Sequence, residues 1–447
     1  MVLSVAVPIM VQNGISNFVS LLDNIMVGRV GTEQMSGVAI VNQLMFIYFL
    51  CIFGGLAGAG IFTAQYYGSN DDEGIRHTFR YKLWMALTLT TIAFCVLFFF
   101  GDSLIRLYLN ESESTGDLAA TLSYGKEYMG AVFIGMPAIM ISQVYISTLR
   151  ECGETLVPMK AGIAAVVVNV VLNYVLIFGK LGLPELGVVG AGLATSISRY
   201  VEAFIVISWT HRHKEKNTYI NGMYKTLKVP IRLAKNYFVK GVPLLINETL
   251  WSTGIAVLMQ CYSVRGLDVV AGQNIANTIN NMFNIAFIAL GDAIAIIIGQ
   301  LLGAGKMEEA RDTDNKIIAF SVSLCIVIAA IMFLMAPLFP EIYNTSAEVK
   351  NLATQFIRIQ AVFMPQSAFL HAAYFTLRSG GKTIVTFLFD SVFMVFVSIP
   401  LAYSLCHFTA FYIAIIFALV QLADIIKAII GFVLLKKGIW LNNIVTE

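Results

Sequence analysis

The chain has 447 residues, of which 58% are hydrophobic and only 13% charged, with a formal net charge of +2. Soluble domains carry about a quarter charged residues, so this composition excludes a water-soluble globular fold and makes a bilayer the solvent. A charge so near neutral offers no basis for expecting a nucleic-acid partner.

Twelve apolar runs are each long enough, at about 20 residues, to cross a membrane as a helix. The first, 4–27, contains Pro8 and carries Asn13, Ser16, Asn17, Ser20, Asp23 and Asn24. Steps of three and one residues put all six on one helical face, and a polar stripe ending in a carboxylate cannot face lipid. No basic segment precedes this run, so no cleavable signal peptide is expected. The second to fourth runs cover 37–64, 79–100 and 122–149. The fifth, 157–178, holds Asn169 and Asn173 one turn apart; the sixth, 188–209, holds Thr195, Arg199 and Glu202 on one face. A basic connection, 211–236, follows, expected as either an amphipathic interfacial segment or a solvated linker. The seventh run, 237–263, places Glu248 just after Pro243. The eighth, 270–300, carries Asn274, Asn277, Asn281 and Asn284 in a row that reaches Asp292. That ladder suits a hydrated vestibule or ion ligands, and equally interhelical hydrogen bonding. The remaining runs are 316–338, 350–377 with a satisfied His371, 383–405 with Asp390, and 409–435 with Asp424 and Lys427.

Most of the 29 Lys and Arg fall in the connections after even-numbered runs and in the tail, while the connection after the third run is acidic. Positive charge marks the cytoplasmic side, so both termini are expected inside. Arg199 with Glu202, and Asp424 with Lys427, are i,i+3 pairs able to neutralise each other. Six scattered cysteines without a CxxC pair suggest packing residues rather than disulfides or zinc. No Walker A pattern occurs, so ATP is not the expected energy source, and no nucleophile–base constellation suggests an enzyme.

The chain is also written twice. Val7-Pro8 recurs as Val242-Pro243 and Gln65-x-x-Gly68 as Gln300-x-x-Gly303, at an offset of 235. Thr148-Leu149-Arg150-x-x-Gly153 recurs as Thr376-Leu377-Arg378-x-x-Gly381, at 228. Six runs per half enter the membrane with the same orientation, which relates the halves by a pseudo-two-fold axis along the membrane normal. The acids do not repeat: Asp23 aligns with Leu258, and Glu248 with Asn13.

Pro8, the stretch Leu22-Asp23-Asn24-Ile25-Met26-Val27-Gly28-Arg29-Val30-Gly31, the paired ends at Gly68 and Gly303, and the two Leu-Arg turns resemble the multidrug and toxic compound extrusion family of cation-coupled exporters. The resemblance covers nearly the whole chain. It implies an all-α membrane protein with twelve transmembrane helices in two six-helix lobes in a V shape, opening alternately outward and inward. It assigns the lobes to 1–210 and 237–447, joined by 211–236. It also implies a cation site built from a first-helix aspartate, an Asn-x-x-x-Asp pair and a sixth-helix threonine. Asp23, Asn169 and Thr195 match; Asn173 stands where the second carboxylate would be, and an amide suits Na+ better than a shared proton. A seventh-helix glutamate used by some members matches Glu248, but the tenth run lacks their aspartate.

The expectation is therefore a secondary antiporter of the bacterial inner (plasma) membrane, a monomer in contact with membrane lipid and small-molecule substrate. It would export organic cationic or amphipathic compounds in exchange for Na+ or H+, with no other cofactor. Asp23, Asn169, Asn173, Thr195 and Glu248 are the leading cation or substrate residues, with possible Na+ at Asp23, Asn169 and Thr195. Asn13, Asn17, Asn277, Asn281, Asp292 and Asp390 form a second rank, and Pro8 is structural. A lipid-linked oligosaccharide flippase of the same superfamily is the alternative.

Overall fold

The computed structural model describes residues 2–109 and 117–446, with the side chains at 17, 19–21, 24 and 25 outside that description, Asn17 among them. Its helices are α1 (Val2–Gly28), α2 (Thr32–Gly68), α3 (Asp72–Leu107), α4 (Leu118–Phe133), α5 (Met136–Glu151), α6 (Leu156–Ile177) and α7 (Gly187–Arg212). They continue as α8 (Ile231–Ser263), α9 (Leu267–Gly303), α10 (Met307–Met335), α11 (Ala347–Ser379), α12 (Thr383–Phe387), α13 (Ile399–Phe408) and α14 (Ile413–Lys436). Each of the twelve predicted runs lies on one helix or on a linked set of them. Among the described residues, eight segments are long and apolar enough to cross a membrane alone. The fourth run is broken into α4 and α5, which meet at 51°. Pro137, in the first turn of α5, explains the break: it lacks an N–H and disfavours helix in the residue before it. The eleventh run passes through two π-helical turns, Leu388–Val392 and Met394–Ser398, between α12 and α13.

Two compact units emerge from the contacts. One comprises Met1–Met10, Ala64–Asp71 and Val242–Glu447; the other Val11–Thr63 and Asp72–Gly241. In the first, Met332, Phe356, Ile357, Ile416 and Phe417 form the centre of a buried apolar cluster. The end of α2 belongs there because the repeated Gln-x-x-Gly ends pack on each other. A Cβ at Gly68 would lie 1.9 Å from the Gln300 carbonyl, and one at Gly303 1.9 Å from that of Gln65. Only glycine permits this approach, which is how helices associate where water supplies no driving force. The tail closes over the same point, with the Ile444 N–H donating to Gln65 Oε1 at 2.9 Å and Asn443 Nδ2 to the Gly303 carbonyl at 3.1 Å.

The second repeated motif is a helix stop. At the end of α5, the Glu154 N–H donates to the Leu149 carbonyl and the Gly153 N–H to Arg150; after α11, Lys382 and Gly381 do the same to Leu377 and Arg378. These are Schellman caps, which need a left-handed residue, and Gly153 and Gly381 have φ of +84° and +73°.

The connection 211–236 is not a freely solvated linker: it makes two short turns, Thr218–Ile220 and Met223–Lys225, and α8 begins at Ile231. It is docked on α3: Arg80 donates to the Met223 and Gly222 carbonyls at 3.0 and 3.2 Å, Arg76 to Asn221 at 3.1 Å, and Trp84 to Leu227 at 3.1 Å. Arg76 and Arg80 of α3 are thus engaged by backbone carbonyls, which the charge pattern alone could not reveal. Lys82, on the same helix, is fully buried and paired with Glu151.

Candidate functional site

In the unit built on Val11–Thr63 and Asp72–Gly241, polar groups from three helices converge. Asn169 and Asn173, one turn apart, share a face of α6; Asp23 projects from α1 and Thr195 from α7. Asn173 Nδ2 donates to Asp23 Oδ1 at 2.6 Å and to Asn169 Oδ1 at 3.2 Å. Asn169 Nδ2 lies 3.4 Å from Thr195 Oγ1. Both asparagines are buried, and Asp23 and Thr195 are half-buried. The structure thus brings four of the five leading residues together.

Asn173 Oδ1 is buried with no hydrogen-bond partner. With its Nδ2 rather than its Oδ1 towards Asp23, the Asn169 amide lies 3.0 and 3.3 Å from the two carboxylate oxygens and can donate to them. Arg199 brings an opposite charge to bear on Asp23, while its Nη1 is engaged with Glu202 Oε2 at 3.0 Å and its guanidinium lies 5.7 Å from the centre of the Phe49 ring. The expected Arg199–Glu202 pair is therefore present.

A second polar cluster lies in the other unit. Asn247 on α8 donates to Asp390 Oδ2 at 3.2 Å and to the Tyr374 hydroxyl at 3.4 Å, and accepts from Ser391 Oγ at 2.6 Å. Lys427 on α14 reaches Asp390 Oδ1 at 2.6 Å. Glu248, half-buried, stands in the field of Arg378, with Asp390 and Asp292 as further charged neighbours. Beside this network a cavity of about 290 Å³ is lined by Gln273, Asn277, Gln360, Asp390, Asp424 and Lys427, together with apolar side chains.

Several sequence readings need correction here. Lys427 pairs with Asp390, not with Asp424 three residues away. The π-helical turn 388–392 widens that helix by a residue and re-aims its side chains, so an acid with no sequence-local partner meets an ammonium from α14. Asp390 is accordingly a neutralised group rather than an open ion site. His371 is not satisfied: its Nε2 is buried without a partner, between the rings of Phe287 and Phe375. The asparagine ladder of α9 is rotated by about one residue, since Asn277 and Asn280 line the cavity with Gln273, whereas Asn274 and Asn281 are exposed. Asn13 on α1 and Asp292 on α9 are half-buried, and Pro8 is buried within α1.

Three residues escaped the sequence reading: Asn247, Gln273 and Gln360. Gln273 stands four residues before Asn277 and could have been found by extending the amide row backwards. Gln360 is a single amide in a long run, and nothing in its neighbourhood marks it.

The family model MatE matches residues 8–175 and 243–404, well over half of the chain and both of its repeats. Multidrug resistance protein PmpM of Pseudomonas aeruginosa is 26% identical over 406 residues, covering 90% of this chain and 83% of its own length. Multidrug resistance protein MdtK of Pectobacterium atrosepticum is 26% identical over 365 residues, covering 82% and 78%. Among solved structures, the outward-facing conformation of a multidrug resistance MATE family transporter of the MOP superfamily superimposes with a TM-score of 0.87 at 20% identity, over 98% of this chain and 95% of that one. That likeness supports the fold, and the family match over both repeats supports the assignment: the chain is an integral membrane protein belonging to the MatE family of transporters.

Proposed function

We propose that this chain is a multidrug efflux antiporter that exports organic cationic or amphipathic compounds, acting as a monomer in the bacterial inner membrane with both termini cytoplasmic. The coupling ion is Na+, taken by Asp23, Asn169, Asn173 and Thr195 within the amino-terminal lobe, 1–210. The observation that carries this reading is the buried, unpartnered Asn173 Oδ1 beside the Asp23 carboxylate. Hard cations are bound by oxygen ligands of this kind, and neutral amides can serve them without sharing a proton. The names of the relatives, both multidrug resistance proteins, weigh against the oligosaccharide flippase.

An ion can shift a conformational equilibrium only by binding one state better than another. Efflux of ethidium from proteoliposomes under an imposed Na+ gradient tests the assignment. Asp23→Asn is expected to lose at least tenfold in Na+-driven rate, while Glu248→Gln keeps most of it. Full Na+-driven efflux by Asp23→Asn would overturn the reading.

A further inference from the structure

The cavity in the unit built on Val242–Glu447 has a chemistry that neither the ion site nor the helix packing explains. It is lined by two carboxylates, Asp390 and Asp424, and one ammonium, Lys427. Lys427 makes its close ion pair with Asp390 and is also the cation that acts on Asp424, so the cavity carries one carboxylate more than it has ammonium groups, and Asp424 makes no close ion pair or hydrogen bond among the described residues.

Two further acceptors point the same way. Gln273 and Gln360 are 6% and 7% exposed, both line the cavity, and the Oε1 atom of each is buried without a hydrogen-bond partner. The Gln360 amide is held by its Nε2, which donates to Asn277 Oδ1 at 3.0 Å, leaving Oε1 free for a guest. A buried polar atom is costly unless something pairs with it. An occupant bearing N–H donors and a positive charge would meet all three demands. The remaining wall includes Trp251, Tyr262 and Phe417, faces that suit both the apolar body of such a molecule and its cation. The volume is at the small end of ligand sites, which favours a one- or two-ring compound.

We propose that this cavity binds a protonated primary or secondary amine with a small aromatic body, its ammonium paired with Asp424 and its N–H hydrogens accepted by Gln273 and Gln360. The proposal rests on the reading of the chain as an exporter of cationic compounds and narrows it: charge alone does not suffice, and a quaternary ammonium of similar shape binds poorly because it leaves both glutamine oxygens unpaired.

The test uses the purified full-length chain in detergent and two fluorescent probes, 1-naphthylmethylamine and its N,N,N-trimethyl counterpart, with dissociation constants read by naphthyl anisotropy. The wild-type protein is expected to bind the amine at least tenfold more tightly than the trimethyl compound. Gln273→Leu combined with Gln360→Leu, close in volume but without the acceptors, brings that ratio near one. Asp424→Asn weakens both probes about tenfold and preserves the ratio; because Lys427 keeps its close ion pair with Asp390 in this variant, it guards against a double variant that fails to fold. Equal affinities in the wild type, a ratio that survives loss of both glutamines, or unchanged binding in Asp424→Asn overturns the proposal. Ion-driven efflux by wild-type proteoliposomes is measured alongside: its absence defeats the antiporter reading whatever the binding shows, and its presence with cavity-independent binding defeats this proposal alone.

Discussion

In the proposed ion site, the part of Asn173 is set by what it cannot do. Its Nδ2 binds Asp23 and its Oδ1 is left over, so it contributes a ligand but no exchangeable proton. A carboxylate at the same place would stand within hydrogen-bond distance of Asp23, and two such acids share one proton rather than both ionising. Asn173→Asp is therefore predicted to move coupling from Na+ towards H+. Efflux should fall severalfold under a Na+ gradient at fixed pH and rise under a pH gradient without Na+. Unchanged ion preference would mean that the amide has no part in selection. A similar exchange of sign distinguishes the two halves elsewhere: Thr148 accepts from Lys82 at 3.3 Å, whereas its repeat partner Thr376 donates to buried Asp314 at 2.6 Å. The hydroxyl is repeated and its charged neighbour is not.

At the scale of the elements, the duplication marks positions where backbone geometry leaves no choice. Gly68 and Gly303 recur because two carbonyls stand where their Cβ atoms would be. Gly68→Ala must force α2 away from α9 and is predicted to destabilise the protein by about 3 kcal/mol, the upper range for overpacking. Gly130, on exposed α4 surface with open space around it, provides the contrast: alanine there should stabilise by about 0.5–1 kcal/mol through helix propensity. Thermal unfolding in detergent compares the two, and equal effects would refute the packing argument. The convergence of Asp23 with Asn169 and Thr195 was legible only through the family resemblance, whereas the twelve runs and the repeated glycines could be read from sequence, because periodicity and local spacing carry them. The docked strap at 218–225, the π-helical turns and the Asp390–Lys427 pair could not. Each depends on a partner more than thirty residues away, or on one inserted residue that shifts a helical face without altering its hydrophobic pattern.

The proposed cycle assigns one ion to the Asp23 cluster and none to Asp390, which already carries a tethered cation in Lys427. If one Na+ enters for each monovalent amine that leaves, no net charge crosses the membrane, and the potential does no work on the cycle. Moving one uncompensated charge through 100 mV is worth about 2.3 kcal/mol, which corresponds to a roughly fortyfold change in the accumulation ratio. The prediction is that clamping proteoliposomes with K+ and valinomycin to either sign of 100 mV leaves the Na+-driven amine ratio unchanged, and that a tenfold Na+ gradient sustains at most a tenfold amine gradient. A neutral analogue carried by the same cycle would move one net charge and so show the fortyfold response. Sensitivity of the amine ratio to potential would mean that more than one ion moves per cycle, and hence that Lys427 does not keep the second unit from taking one.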